Sequence, residues 1–139
     1  MPQDSCWAVQ AAVYGRLSGN AGVTALLAAG AAGVFDHMPQ SSVFPYIALG
    51  DMAARPEETQ SGGGYDITLD IHCYSRALGM KQSRAIRAAV SAALHEADFA
   101  VTGQSLVLCR LERQETRLEA DGETRHGVLR FRIITEPLP

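Results

Sequence analysis

The chain of 139 residues is long enough for one domain with a buried core, and its composition, 47% hydrophobic and 19% charged, is typical of a folded globular protein. A net charge of −3 argues against a general attraction to nucleic acid or to an anionic membrane surface. The three cysteines lack metal-ligand spacing, and the sequence shows neither a signal-peptide pattern nor an apolar run that could cross a bilayer, so we expect a soluble, cytoplasmic protein.

The first part of the chain is predicted to contain two helices and a strand. Apolar residues recur at helical spacing over residues 6–17, and Asn20 can cap a second, shorter helix because its side-chain oxygen can accept a free N–H group. Residues 34–37 form a short extended piece. Pro45 opens the apolar run 46–50, which predicts a strand, since proline is tolerated where a strand begins.

Residues 65–75, YDITLDIHCYS, are the strongest strand signal in the chain. Apolar side chains occupy one parity and mostly polar side chains the other, as a strand with one buried face requires. The preceding residues 51–64 have no apolar periodicity, contain Pro56 and end in three glycines. We therefore expect a long loop there, forming a flexible hairpin arm.

The rest of the chain predicts one helix and two more strands. Ile86, Val90 and Leu94 belong to the apolar side of a helix that runs to about residue 97. Residues 105–111 continue into alternating charges as far as residue 119, and a turn leads to a last strand at 126–135. The element order predicts an α+β fold, a mostly antiparallel four- to five-stranded sheet packed with two or three helices, in a single domain over residues 1–139.

No established catalytic or metal-binding motif is present, so we expect no cofactor, no metal and no enzymatic activity. Asp70 and His72 share one face of the long strand and are the best candidates for a dyad in a small hydrolase. The alternative interpretation is that they are simply part of a polar outer face.

One basic run leaves a further alternative open. Arg76, Lys81, Arg84 and Arg87 occur with no acidic residue between them. They could serve a nucleic-acid-binding module, but such modules carry more charge and interleaved aromatic residues. We therefore favour a solvated helix face, or one that meets an acidic surface on a neighbouring subunit.

Six segments along the chain together carry a family resemblance. They are AAVYGRL at 11–17, VFDHMPQ at 34–40, FPYI at 44–47, LDIHCYSR at 69–76, the helix at 85–95 and TRHGVLRFR at 124–132. In this order, and over nearly the full length, they resemble the small structural proteins of tailed phages and gene transfer agents that are related to the lambda tail terminator.

The resemblance implies a non-enzymatic virion protein, assembled in the bacterial cytoplasm. It would form a hexameric ring that terminates the tail tube and joins it to the head. The implied partners are further copies of the chain, the tail tube protein and the head–tail connector or stopper protein. DNA would pass through the ring without sequence-specific binding, and no membrane would be involved. Within the same class, a connector or stopper or a minor tail protein is the alternative.

Charged residues supply the expected contacts of such a ring, since head-to-tail subunits join two different surface patches. The arm at 51–64 is expected to contact the tail tube or a neighbouring ring through Arg55, Glu57 and Glu58. The remaining interface candidates are Arg76, Lys81, Arg84, Arg113 and Arg117.

Overall fold

A computed structural model describes residues 5–57 and 64–138, and within them the fold is the α+β arrangement expected from the sequence. Three helices pack on one side of a five-stranded sheet. The helices are α1 (Ser5–Ser18), α2 (Ala21–Thr24) and α3 (Lys81–Leu94). The strands are β1 (Val34–Phe35), β2 (Tyr46–Glu57), β3 (Gly64–Ser75), β4 (Gln104–Leu118) and β5 (Arg125–Pro137). None of the helices in this part of the chain is long and apolar enough to cross a membrane.

The sheet has the strand order β1-β2-β3-β5-β4. Only the short β1 runs parallel to its neighbour, and the other pairs are antiparallel. The hairpins β2–β3 and β4–β5 therefore lie side by side, joined by the central pair β3–β5. This central pairing links segments about sixty residues apart, and Leu69 lies opposite Phe131.

The core lies between the helices and one face of the sheet. The alternation predicted for β3 is confirmed, since Ile67, Leu69, Ile71 and Cys73 are all buried. They pack with buried residues of the other elements, including Val9, Val13, Leu17, Ile86, Val90, Leu94, Leu129, Phe131 and Ile133. Burial raises the pKa of the Cys73 thiol to about 12, because the thiolate would be formed out of water. Cys73 is thus a small core residue at neutral pH.

The helix cap predicted near the start of the chain is also confirmed. The Asn20 side chain accepts a hydrogen bond from the backbone N–H of Val23 at 3.1 Å, which is the predicted cap of the second helix. That helix is a single turn, and a 3₁₀ turn over Gly30–Gly33 follows it before β1. A cis peptide bond between Phe44 and Pro45 leads into β2.

The prediction of a long loop at 51–64 is wrong for the first half of this segment. Residues 51–57 belong to β2, which pairs with β3 from Met52 opposite Leu69 onward. A β-bulge between Leu49 and Met52 shifts the register, and residues 53–56 are exposed, so the segment shows no apolar alternation. The edge position of this half of β2 also accommodates Pro56. Residues 58–63 lie outside the described part of the chain, and a flexible arm there stays a prediction.

Candidate interaction surfaces

The sheet face opposite the core carries no helix of the described part of the chain. We call it the uncovered face. Its side chains are mostly charged, polar or aromatic and include Arg55, Asp66, Asp70, His72, Tyr74, Arg113, Glu115, Arg117, His126, Val128, Arg130 and Arg132. The alternating parity predicted for β3, which β5 follows through its pairing with β3, places the residues of these two strands on the side away from the core. A face with so few apolar groups is suited to polar contacts or to water.

Arginine–carboxylate pairs cross from strand to strand on the uncovered face. Asp66 on β3 is only 8% exposed and accepts hydrogen bonds from Arg132 on β5, with the shortest at 2.7 Å, and a longer one of 3.4 Å from Arg55 on β2. The hydrogen bonding from Arg132 holds the pKa of Asp66 below its ordinary value. Arg130 binds both carboxylate oxygens of Asp70, at 2.8 and 3.2 Å. Three strands are thus cross-linked by charge.

A cluster of rings occupies the end of the uncovered face nearest β1. Tyr46, Tyr74 and His126 stack across β2, β3 and β5, with ring centroids 4.9 and 4.5 Å apart. His72 Nδ1 lies 2.7 Å from His126 Nε2, and His126 Nδ1 lies 2.6 Å from a carboxylate oxygen of Glu119. Burial, and then the positive charge that His126 can carry, lower the pKa of His72. Burial also raises the pKa of Tyr74 to about 12. We call these four rings the ring cluster.

The proposed Asp70–His72 dyad is not supported by this geometry. The two residues do share a face, as predicted, but their hydrogen bonds go elsewhere. Asp70 is held by the bidentate contact with Arg130, and Nδ1 of His72 is bonded to His126. A general base needs a free ring nitrogen oriented by its acid partner. Both residues instead bond to side chains of β5.

The basic run preceding and within α3 does not form one surface. Lys81 and Arg84 are exposed, and neither side chain makes an ion pair or hydrogen bond within the described residues. Arg87 turns toward the sheet, where its guanidinium donates to Gln114 at 3.1 Å. Arg76 lies 4.1 Å from the ring centre of Phe44 and donates to Thr124 at 3.1 Å. The nucleic-acid alternative therefore loses the continuous basic stripe on which it rested.

The interface residues predicted from sequence fall on different surfaces. Arg55, Arg113 and Arg117 lie on the uncovered face, whereas Lys81 and Arg84 lie on α3, in the helical layer. Arg76 lies between β3 and α3. The backbone of Glu57 ends β2, but its side chain and all of Glu58 are outside the described residues.

Sequence reasoning missed the side-chain contacts that join strands on the uncovered face. Arg130 and Arg132 lie in the predicted last strand, but their partners Asp70 and Asp66 were not foreseen. His126 was likewise not connected to His72. The only available signal was that the acids on β3 and the arginines on β5 each alternate with the apolar residues of their own strand. This signal becomes informative once the β3–β5 register is known.

Comparison with known proteins gives consistent matches over most of the chain. The family model described as tail completion protein gp17 matches residues 11–136. The tail completion protein gp17 of Bacillus phage SPP1 is 29% identical over 90 residues, which span 65% of this chain and just under two thirds, 66%, of the relative.

Two solved structures are similar. A chain in the virion of a native gene transfer agent particle is 29% identical, with a TM-score of 0.84, and the match covers 95% of this chain and 97% of that one. The structure of the bacteriophage SPP1 gp17 protein is 21% identical with a TM-score of 0.63, covering 97% and 91% of the two chains. The second likeness concerns the fold alone.

Proposed function

Because the chain belongs to the family of tail completion proteins, we propose that six copies form a closed ring that ends a tail tube and joins it to the head–tail connector. The particle would be a tailed phage or a gene transfer agent. The observation that carries this proposal is the near-complete match to a chain of a gene transfer agent virion, with a TM-score of 0.84. Family membership supports a structural role at the tail end rather than catalysis.

The charge distribution is compatible with a ring between two other rings. A ring protein needs polar surfaces toward the proteins above and below it and two different patches toward its own neighbours. Lys81, Arg84 and Arg117 have no ion-pair partner within the described residues, so their charges are available to the tail tube protein and to the connector or stopper protein. Glu58, in the segment between β2 and β3, is proposed to contact the tube.

We further propose that DNA passes through the ring without sequence-specific binding. The net charge is −3, and the arginines Arg130 and Arg132 are already bound by carboxylates. Neutralised arginines release few counterions on meeting phosphate, so binding to duplex DNA is expected to be weak and to vanish at moderate salt. A gel-shift titration from 50 to 200 mM salt checks this, and tight binding at the higher salt would contradict it.

Genetic removal of the chain tests the proposed position. Without it, the producing cells are expected to accumulate tails of irregular length and heads without tails, visible by negative-stain electron microscopy. Labelling of the restored chain should then decorate the head-proximal end of the tube. Label on the vertex of tailless heads would instead favour the connector or stopper, and label along the tube a minor tail protein.

The assembled mass tests the ring itself. Light scattering of the purified chain, alone and after incubation with tail tubes, is expected to reveal a species of six subunits in at least one of the two conditions. A chain that stays monomeric in both, and that leaves particles complete when deleted, would overturn the proposed function.

A further inference from the structure

The sheet has a free half-edge on β4. Among the described strands, β4 pairs with β5 alone, and its outer side is partly occupied: the backbone N–H of Glu96 donates to the carbonyl of Cys109 at 2.7 Å, and the N–H of Leu111 donates to His95 Nδ1 at 3.0 Å. Beyond a bulge between Leu111 and Arg113, residues 112–118 have no backbone partner on this side among the described residues. We call residues 112–118 the β4 half-edge.

A second free half-edge lies on β2. The two-residue strand β1 covers β2 only at Ile47 and Ala48. Residues 52–57 pair with β3 on one side and have no backbone partner on the other within the described part of the chain. Pro56 lies in this stretch, where a residue without an N–H is tolerated because the strand is at the border of the sheet. We call residues 52–57 the β2 half-edge.

The two half-edges lie at diagonally opposite corners and run in opposite directions. Across the ladder, residues 52–56 are level with residues 106–111 of β4, where His95 and Glu96, which follow α3, contact the border. Residues 114–117 are level with residues 46–49, where β1 lies. Successive antiparallel pairings make β2 and β4 antiparallel to each other.

We propose that the β4 half-edge of one subunit pairs antiparallel with the β2 half-edge of a second copy of this chain, so that the sheet continues from subunit to subunit. The contact joins two different surfaces and is therefore head-to-tail, the kind that generates closed rings. This inference rests on the proposed ring and names the surfaces that would build it. Strand addition of this kind satisfies backbone groups that otherwise remain open, except at Pro56, which has no N–H to donate.

Charge complementarity selects one register for this pairing. The uncovered face must continue across the junction, so only registers that differ by two residues are comparable. Within one subunit Arg55 contacts Asp66 and Glu115 contacts Arg113, at 3.4 and 3.3 Å. Placing Arg55 opposite Glu115 adds a further contact between opposite charges, whereas a shift of two residues either way places Arg55 opposite Arg113 or Arg117. Like charges directly opposite each other are destabilising in a sheet.

The same register is consistent on the helix-covered side of the sheet. It places Met52, which is partly buried against the core, opposite Leu118, which is 52% exposed in the isolated chain. The apolar surface of Leu118 would thus be covered by the neighbour. Ala53 would lie opposite Arg117, and both residues are exposed, so the junction meets no bulky apolar obstacle.

The diagonal placement also bears on closure. In one subunit Met52 is level with Leu111, but in the proposed contact it meets Leu118 of the next. Allowing for the bulged residue, each subunit is shifted along the strand direction by about 20 Å at roughly 3.3 Å per residue. A constant shift tilts the strands against the ring axis, which is the condition for closing a sheet on itself.

Cysteine cross-linking of assembled particles tests the register. With Cys6→Ser as background, the double variant Ala53→Cys/Arg117→Cys should form disulfides between subunits on mild oxidation, because directly opposite residues lie within disulfide reach. The expected result is a ladder of covalent multimers on a denaturing gel. Ala53→Cys/Arg113→Cys, four residues out of register on the same strands, is the matched control and should give none.

A charge exchange tests the contact independently. Glu115→Arg alone, or Arg55→Glu alone, should lower the yield of rings or complete particles by roughly two- to fivefold per contact, and the double variant should restore it. Glu123→Arg in the β4–β5 turn controls for a general charge effect. Thermal unfolding of each variant establishes that the fold is retained.

The outcomes separate this inference from the proposed function. The strand pairing would be overturned if complete particles with hexameric rings gave no covalent ladder from residues 53 and 117, or if the double charge exchange gave no rescue. The proposed ring itself would not be contradicted by that result. Absence of the chain from particles would overturn the proposed function and the pairing together. A ladder with rescue supports both.

Discussion

Individual residues on the uncovered face gain their roles from partners on other strands. His72 is bonded to His126, packs beside Gly50 and has an imidazole whose protonation would place a charge in a half-buried cluster. Asp66 serves two arginines at once. Each contact joins two strands, so a single substitution there is expected to change the stability of the sheet.

The lowered pKa of His72 predicts a loss of stability in mild acid. The unfolded chain binds a proton near pH 6.5, whereas the folded chain takes it up only at lower pH. Between these two values the unfolded state binds more protons, so the free energy of unfolding should decrease as the pH falls below 6.5. Urea denaturation at half-unit pH steps from 7.5 to 5 measures this change in the free energy of unfolding.

His72→Gln should flatten this dependence. His37→Gln is the matched control, because the His37 side chain is 71% exposed, and it should leave the dependence in place. An unchanged pH dependence in His72→Gln would contradict the assignment.

Gly50 predicts a steric effect at one position. A Cβ at Gly50 would overlap ring atoms of His72, and the hydrogen bond to His126 limits how far this ring can move. Gly50→Ala should therefore destabilise the protein by about 1–3 kcal/mol, as overpacking does. Gly15→Ala, in the interior of α1 with open space around it, should instead stabilise by about 0.5–1 kcal/mol. Equal effects in urea denaturation would contradict this account.

At the scale of elements, the termini of helices and strands are tied together by polar contacts. The segment after α3 satisfies the border of β4 through His95 and Glu96, and Glu96 adopts a positive φ of 54° to do so. On the uncovered face, Asp66 binds β2 and β5 to β3. These contacts fix where each strand border is closed and where it is left open.

Loss of the Asp66 carboxylate should loosen the attachment of three strands. Asp66→Asn leaves Arg132 and Arg55 without their shared acceptor and is expected to cost about 1.5–3 kcal/mol, the range for hydrogen bonds between charged groups. Glu112 lines a shallow groove together with Asp66 but is exposed, so the control variant Glu112→Gln should change stability by less than about 0.5 kcal/mol. Chemical denaturation compares the two, and a neutral Asp66→Asn would contradict the role.

At the scale of the whole molecule, the two sides of the sheet differ in kind. The helical layer presents Lys81 and Arg84 to solvent, and the uncovered face presents charges that are largely paired with one another. The free half-edges separate these sides. Such a molecule can meet its own copies through its borders and other proteins through its faces.

The unpaired cations on α3 predict a contact with a partner protein. Lys81→Gln/Arg84→Gln should leave the free energy of unfolding within about 0.5 kcal/mol of the parent value, because both side chains are exposed. The yield of complete particles should fall several-fold, measured by electron microscopy and infectivity or gene transfer. The control variant Ala100→Glu/Thr102→Glu changes the net charge by the same amount at an exposed turn. It should not lower the yield of complete particles. Equal losses in both variants would contradict a specific contact.

Much of the fold follows from local sequence patterns. The alternation of residues 65–75, the apolar stripe of α3 and the Asn20 cap are confirmed, because each depends on neighbours within one turn or one strand. The family was also recognisable from segments along the chain. Residues 51–57 were mistaken for loop, since an exposed border strand with a bulge needs no apolar alternation.

Apart from the second half of β2, the sequence by itself thus determined the class of each long element, the side of it that is buried and the family. Only the tertiary structure decided that β5 pairs with β3, and with it that Arg130 meets Asp70 and His126 meets His72. These partners lie 54 to 60 residues apart in the chain. Periodicity reports how an element is buried, but which strands become neighbours depends on packing of the whole sheet, which no local pattern encodes.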